Sequence, residues 1–274
     1  MKHISGHYTP KSGKAVSFDV QIPETWAELN IYQTAALLEV LTHSRLDLSL
    51  KGAIFLAILF GKDVHIVYNL PDEELLSLAP LTNFILETDP EAVNPLPEIT
   101  IAEKPCIAAA ADLSNIGFGE WCFAYQVYHF YCSAKDEKLL DQLIAILYRP
   151  AAPDMHPEHI DFTGDLRLRF NENHIPARAQ AAAALEPIIK HTVLAWFASA
   201  LFNVMKNRPH LFPQKTEDEL LPPPDQDDHR TWFTVFRELL GPKWGTEAQL
   251  KFTNAMFVLD ALEEQQIDGQ KPPQ

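Results

Sequence analysis

Two histidines spaced three residues apart are the first candidates for chemistry in this sequence. His156 and His159 lie among three acidic residues, which are Asp154, Glu158 and Asp161. Histidines at positions i and i+3 on one helix face can share a metal ion such as Zn²⁺. Pro157 separates them, however, and a proline disrupts a regular helix at this point. The sequence therefore favours an exposed polar loop over a metal site, and no metal-ligating or cofactor-binding residue is predicted.

Nucleophilic and phosphate-binding motifs are not found. The chain contains neither a Walker loop nor a dinucleotide-binding glycine pattern, and it has no G-x-S-x-G elbow. Cys122, or Cys132, could form a Cys–His pair with His129. A catalytic thiolate needs an electropositive and partly open setting, whereas these residues lie in an aromatic-rich segment. We interpret them, with Cys106, as reduced thiols and predict no catalytic residue.

One charged segment has no obvious hydrophobic pattern. It runs from Asp165 to Asn173 and follows Arg149, which ends an apolar helix. We expect Arg149 to cap the last carbonyls of that helix or to pair with a carboxylate such as Asp165. The structural interpretation, in which Arg149 or Arg169 holds an irregular connection to the helices, is favoured. The alternative is a loop that binds a partner or a ligand.

The composition limits the class of protein. The chain has 274 residues, of which 47% are hydrophobic, so it can bury a substantial core. Its 21 prolines against 10 glycines favour helices separated by breaks over a sheet rich in tight turns. The formal net charge of −15 argues against nucleic acid and anionic membranes as partners. No signal peptide or membrane-spanning stretch is recognised, and we expect a cytoplasmic protein.

Hydrophobic periodicity predicts a mainly helical, multi-helix globular protein with a minor β element near the N-terminus. The predicted helices are Glu24–Leu41, Leu48–Phe60, Pro71–Glu87, Phe118–Ser133, Lys138–Tyr148, Ala179–Lys206, Arg230–Leu240 and Thr246 to about Gln266. The predicted strands are Ala15–Ile22, Val64–Tyr68 and Glu98–Ala102. Residues 1–14 are expected to form a loose arm, and the last seven residues a polar tail. Thr246 and Gln249 have the spacing of a capping box.

Prolines and acidic residues indicate how the chain divides. A proline-rich connection over 88–112 predicts an N-terminal subdomain of mixed helix and strand over 1–110. A helical domain over 111–274 follows, with a Pro-rich acidic linker at 207–229. We find no internal repeat.

Short motifs in the second half resemble those of a known group of proteins. They are Asn115–Glu120 (NIGFGE), Leu143–Pro150 (LIAILYRP), Phe170–Asn173 (FNEN), Trp196-Phe197 and Trp244-Gly245. Residues 113–262 resemble small phage and prophage proteins of the Bacteroidetes type, whose genes lie in tail or baseplate regions. The resemblance implies a tail structural or tail-assembly protein that works by protein–protein contact. It supplies no catalytic residues.

The first hypothesis is therefore a non-enzymatic interaction protein, acting in the cytoplasm or incorporated in a virion or phage-like particle. Its contact surfaces are predicted in the acidic linker and the final helix, and the oligomeric state stays open. Binding hot spots favour aromatic and arginine anchors, and the candidates are Trp232, Phe236, Trp244 and Arg149. Equally, Trp232 and Phe236 could face the core of their own chain.

Two alternatives remain open. One is an enzyme or small-molecule binding protein with a dispersed His/Asp site around residues 154–174. The other is a binding module with a helical pocket lined by aromatic residues, namely Trp121, Tyr125, Tyr128 and Trp196.

Overall fold

The computed structural model describes residues 1–9, 13–42, 48–87, 94–160, 162, 164–213 and 231–269. These residues form a mainly helical fold with two small sheets. Two compact units are recognised. The first contains residues 1–95 together with 191–199, and the second contains residues 96–190 and 200–274.

The first unit begins with a β-hairpin. Strand β1 (Lys2–Tyr8) pairs antiparallel with β2 (Val16–Ile22), with Lys2 opposite Ile22. The predicted strand is thus confirmed, but the prediction of a loose N-terminal arm is wrong. Alternate β1 residues face inward and end at a buried Tyr8. This period of two is visible in the sequence, where His3, Ser5 and His7 alternate with the inward-facing Ile4, Gly6 and Tyr8.

Short helices follow in the first unit. They are α1 (Ile31–Thr42), α2 (Leu48–Phe60), α3 (His65–Asn69), α4 (Asp72–Leu78) and α5 (Asn83–Glu87), with 3₁₀ turns at Trp26–Glu28, Gly61–Asp63 and Ala79–Thr82. The α2 prediction is confirmed. The strand predicted at Val64–Tyr68 is wrong, because that segment is helical, and the long helix predicted over Pro71–Glu87 is broken at Pro80.

A second sheet belongs to the second unit, and the sequence predicted only the first of its strands. Strand β3 (Glu98–Ile101) is as predicted, β4 (Lys104–Ala108) follows it, and β5 (Tyr148–Arg149) pairs with β4. The β3–β4 turn has positive φ at both central residues, Ala102 and Glu103, as in a type I′ hairpin. The β4–β5 pairing ties residues 98–108 to the second unit and displaces the predicted boundary from 110 to residue 95.

Seven helices complete the described chain. They are α6 (Phe118–Ala134), α7 (Glu137–Leu147), α8 (Ile175–Ala182), α9 (Pro187–Lys206), α10 (Trp232–Leu239), α11 (Glu247–Phe252) and α12 (Ala255–Gly269). The predicted hairpin of α6 and α7 is confirmed. Its polar turn is formed by Lys135, which has a φ of 53°, and by Asp136, whose carboxylate accepts a hydrogen bond from the Lys138 backbone nitrogen at 3.0 Å.

Two long helices of the prediction are each divided. The Ala179–Lys206 prediction covers the end of α8 and all of α9, which are separated where Pro187 opens α9. The final helix breaks after Phe252, because the Asn254 side chain accepts hydrogen bonds from the Met256 and Phe257 backbone nitrogens and so caps α12. The predicted capping box at Thr246 and Gln249 is present. Residues 214–230, which include most of the predicted linker, and residues 270–274 lie outside the described residues.

Helix α9 is long and apolar enough, by length and composition, to cross a membrane. Its most apolar window is 61% buried within the protein. A core helix of a water-exposed protein passes the same test, so this feature is weak support for a membrane span.

Gly117, at the start of α6, is held close to the chain at the end of α11. A Cβ atom at this position would lie 2.8 Å from the Lys251 carbonyl oxygen. That oxygen belongs to the backbone, so Gly117→Ala is expected to destabilise the protein by about 1–3 kcal/mol. Urea unfolding measures the change. Gly52→Ala, within α2 and with nothing inside 4 Å, is the control. It should be neutral or stabilising by up to about 1 kcal/mol, and equal losses in both variants would contradict the packing argument.

Glu263 on α12 anchors the chain that follows α9. Its carboxylate accepts hydrogen bonds from the backbone nitrogens of His210 and Leu211, at 3.0 and 2.5 Å, and it contacts His210 Nδ1 at 2.7 Å. Burial alone would raise the pKa of Glu263, but these hydrogen bonds outweigh burial and lower it. A lowered folded-state pKa contributes stability that is present above the unfolded value of about 4.3 and is lost as the pH falls through the folded value.

Glu263→Gln is therefore expected to lose about 1–2 kcal/mol of stability at pH 7, because a charged acceptor is replaced by a neutral one. The difference from the wild type should shrink toward zero near pH 3. Urea unfolding at both pH values checks this. A difference that does not change with pH would show that the carboxylate charge contributes nothing.

Candidate functional site

A glutamate in the first turn of α6 and an arginine just after α7 form a buried pair of opposite charges. Glu120, in the first turn of α6, and Arg149, in β5, each have a side chain 1% exposed. Arg149 Nη2 donates to Glu120 Oε2 at 2.7 Å. Buried charges of this kind are tolerated only when paired and hydrogen-bonded.

Two further residues complete a network of two acids and two arginines. Arg167, whose side chain is 0% exposed, donates from Nη1 to Glu120 Oε1 at 3.0 Å. Asp165 accepts from Arg167 Nε at 2.7 Å and from Arg149 Nη2 at 2.9 Å. The four formal charges cancel. We call these four residues the buried ion network.

The network also fixes the irregular chain after α7. Arg149 Nη1 donates to the Leu168 carbonyl, and Arg167 Nη1 donates to the Leu147 carbonyl at 2.8 Å. A short backbone ladder runs alongside, in which the Leu168 nitrogen donates to the Pro150 carbonyl at 2.7 Å. The expected pairing of Arg149 with Asp165 is confirmed, and Arg149 holds the irregular connection as predicted.

Burial and neighbouring charges act in opposite directions on the two arginines. Burial lowers the pKa of Arg149, and the charges of Glu120 and Asp165, which raise it, do not fully offset this effect. Burial also lowers the pKa of Arg167, but the charges and hydrogen bonds of the same two carboxylates outweigh it and raise that pKa above its ordinary value. An arginine keeps its proton at neutral pH in either case.

A cavity of about 850 Å³ lies beside the buried ion network, and all four network residues line it. Its apolar wall is formed by Ile116, Met155, Phe162 and Phe170, and Ile160, which is 95% exposed, lies at its open edge. Arg149 Nε is buried and has no hydrogen-bond partner among the described residues. An apolar cavity with a few fixed polar groups is typical of a ligand-binding site.

The predicted interaction residues lie in two different settings. Trp232 on α10 packs edge-to-face against Phe118 and Trp121 of α6, at ring-centroid distances of 6.0 and 6.1 Å, and Phe236 stacks on Phe118 at 5.8 Å. Both therefore contact their own chain, the alternative that the sequence left open. Trp244, between α10 and α11, is half-buried. Arg149 is buried in the network, and its role as a partner contact remains a prediction.

The histidine and cysteine candidates of the described part of the chain make other contacts. The His156 and His159 rings meet edge-to-face at 5.7 Å, and no group of three or more metal-ligating side chains is found among the described residues. The Cys122 thiol, whose pKa is raised by burial, donates to the Trp232 carbonyl rather than to His129. Burial lowers the pKa of His129.

No known family accounts for this arrangement. No family model matches the chain, and no curated protein or solved structure shows significant similarity to it. The site must therefore be interpreted from its own geometry.

Sequence reasoning missed the part that Arg167 plays. The segment Leu166–Arg169 alternates apolar and basic residues, and in an extended chain this spacing places both arginines on one side. Arg167 is nevertheless buried, while Arg169 is exposed. The alternation was visible, but nothing local showed that the two arginines would differ in burial.

Proposed function

We propose that this chain is a non-enzymatic phage or prophage tail protein, structural or acting in tail assembly, that works by protein–protein contact. The motifs in residues 113–262 support the tail assignment by resemblance. The partners would be other tail or baseplate proteins, met in the cytoplasm or within a phage particle.

An exposed phenylalanine that packs on a half-buried tryptophan of the second unit is the observation that carries the proposal of protein contact. Phe257 on α12 is 63% exposed. Its ring contacts that of Trp244 edge-to-face, with centroids 5.9 Å apart, and Lys243 Nζ lies 5.4 Å from the Trp244 ring centroid. Large aromatic side chains are enriched at protein interfaces relative to the rest of the surface. Phe257 also lies on the final helix, where a contact surface was predicted.

Affinity purification of the tagged chain from its native host, followed by mass spectrometry, tests this function. We expect tail tube, sheath, tape-measure or baseplate proteins to co-purify. Replacing Phe257 with serine should reduce their recovery about tenfold or more, since an interface hot spot contributes at least about 2 kcal/mol.

Phe130→Ser is the matched control, because Phe130 is also an exposed phenylalanine of the second unit, at 54%. Its recovery of partners should equal that of the wild type. If the wild-type chain is recovered alone, under conditions that preserve other tail complexes, the proposal is overturned.

The cavity beside the buried ion network favours a second candidate, a small-molecule binding protein. It is lined by residues from the 154–174 segment, where a dispersed site was proposed, although Asp165 is the one candidate of that site among its lining residues. Native mass spectrometry of the purified chain, with metal analysis, tests this candidate. A stoichiometric bound metabolite would support it, and only the unliganded mass would contradict it.

A further inference from the structure

A smaller cleft adjoins the large cavity and has a different charge. It has a volume of about 500 Å³ and is formed by the segment 168–174, by α8 and by the end of α11. Its charged side chains are Arg169, Arg178, Lys251 and Glu172. Cations therefore outnumber acids by three to one in this cleft, although the chain as a whole carries a net charge of −15.

Only one of the three cations is matched by a carboxylate. Lys251 Nζ pairs with Glu172, and this hydrogen bond helps to lower the pKa of Glu172 against the opposing effect of its burial. Arg169 and Arg178 contact no carboxylate among the described residues. The Arg169 guanidinium instead lies over the Phe252 ring, 3.4 Å from its centroid. This stacking holds the group in place and leaves the edge of its planar fork free.

Arg178 is the less satisfied of the two. Its Nη2 donates to His174 Nδ1 at 3.3 Å, while its Nη1 atom is buried without a hydrogen-bond partner among the described residues. The Arg178 guanidinium is partly removed from water, and this burial lowers its pKa. A buried donor of a charged group that lacks an acceptor is costly, and such groups in native proteins call for an explanation.

His174 also lines this cleft. A guanidinium can only donate, so His174 Nδ1 accepts the hydrogen bond from Arg178. The cleft thus combines two guanidinium groups, an imidazole and an unmatched positive charge.

We propose that this cleft binds an oxyanion, either a phosphate or a carboxylate group of a ligand. The planar fork of a guanidinium fits the paired oxygens of both groups through charge-assisted hydrogen bonds, and Arg169 and Arg178 both line the cleft. The inference stands on the cleft residues alone and does not depend on the tail function.

NMR titration of the ¹⁵N-labelled full-length chain tests the proposal, with inorganic phosphate and succinate as separate probes at constant ionic strength. We expect saturable shifts of the Arg178 side-chain signals with at least one probe. Arg178→Gln and Arg169→Gln should each weaken binding about tenfold. Arg169 is exposed, so its variant tests the site even if Arg178→Gln does not fold. Arg237→Gln, an exposed arginine of α10, removes the same charge elsewhere and should bind as the wild type does.

The two probes distinguish the ligand classes. Binding of phosphate alone identifies a phosphoryl site, binding of succinate alone identifies a carboxylate site, and binding of both supports a general oxyanion site. The proposal is overturned if neither probe gives saturable shifts up to about 10 mM, well above the millimolar Kd expected of a weak site. It is equally overturned if both glutamine variants bind as tightly as the wild type.

Discussion

Replacing Glu120 with alanine is expected to destabilise the second unit by about 3–5 kcal/mol. Glu120 accepts hydrogen bonds from both Arg149 and Arg167, and all three side chains are at most 1% exposed. Its removal would leave two buried guanidinium groups with Asp165 as their one remaining carboxylate in the network. Like charges at close range in a medium of low dielectric constant repel strongly, so the loss exceeds that of ordinary hydrogen bonds.

Hydrogen exchange of the α7 amides over Leu143–Leu147 measures this loss, because these buried residues report the stability of the second unit. Glu264→Ala on α12 is the matched control. Glu264 is exposed, and its replacement should change stability by less than about 0.5 kcal/mol. Similar protection in the two variants would show that the buried ion network does not stabilise the fold.

Trp232→Ala is expected to cost about 3 kcal/mol, the second largest effect. The Trp232 ring contacts four other rings, at centroid distances of 5.7 to 6.1 Å, from Phe118, Trp121, Tyr125 and Phe212. Removing a large aromatic side chain from such a cluster loses both buried area and ring–ring interactions. Because α10 has no fully buried residue, this helix should detach from α6 before the rest of the unit unfolds.

Hydrogen exchange of the α10 amides in the Trp232→Ala variant checks the prediction. Trp244→Ala is the comparison, since Trp244 is half-buried and, among the described residues, contacts the ring of Phe257 alone. We expect it to cost less than about 1 kcal/mol. If Trp244→Ala costs as much as Trp232→Ala, then Trp232 does not have the structural role that its contacts suggest.

Regular helices in this chain could be predicted because their signals are local. The α6–α7 hairpin and the capping box of α11 each depend on residues within a few positions of one another. Helix breaks were harder to predict. Thr253 and Asn254 do not interrupt the helical spacing of the apolar residues around them. Only the hydrogen bonds that the Asn254 side chain accepts show that a new helix begins there.

The candidate site was less predictable, because its members are distant in sequence. Arg149 was chosen and its pairing with Asp165 was anticipated, since a buried arginine requires a carboxylate. Glu120 lies 29 residues earlier, and Arg167 lies 47 residues after Glu120. No periodicity links residues so far apart in the sequence. For the same reason, the sequence did not predict that the unmatched cations of the smaller cleft would lie together.

The junction of α6 with α12 has a consequence for synthesis. Asn254 Nδ2 donates to the Ser114 carbonyl, 140 residues away, and the Phe118 nitrogen donates to the Thr253 carbonyl. At translation rates of roughly 5–20 residues per second, the start of α6 is synthesised on the order of ten seconds before the Thr253–Asn254 segment that it contacts. During that interval the apolar face of α6 is available to chaperones, so the folding yield of this protein should depend on them.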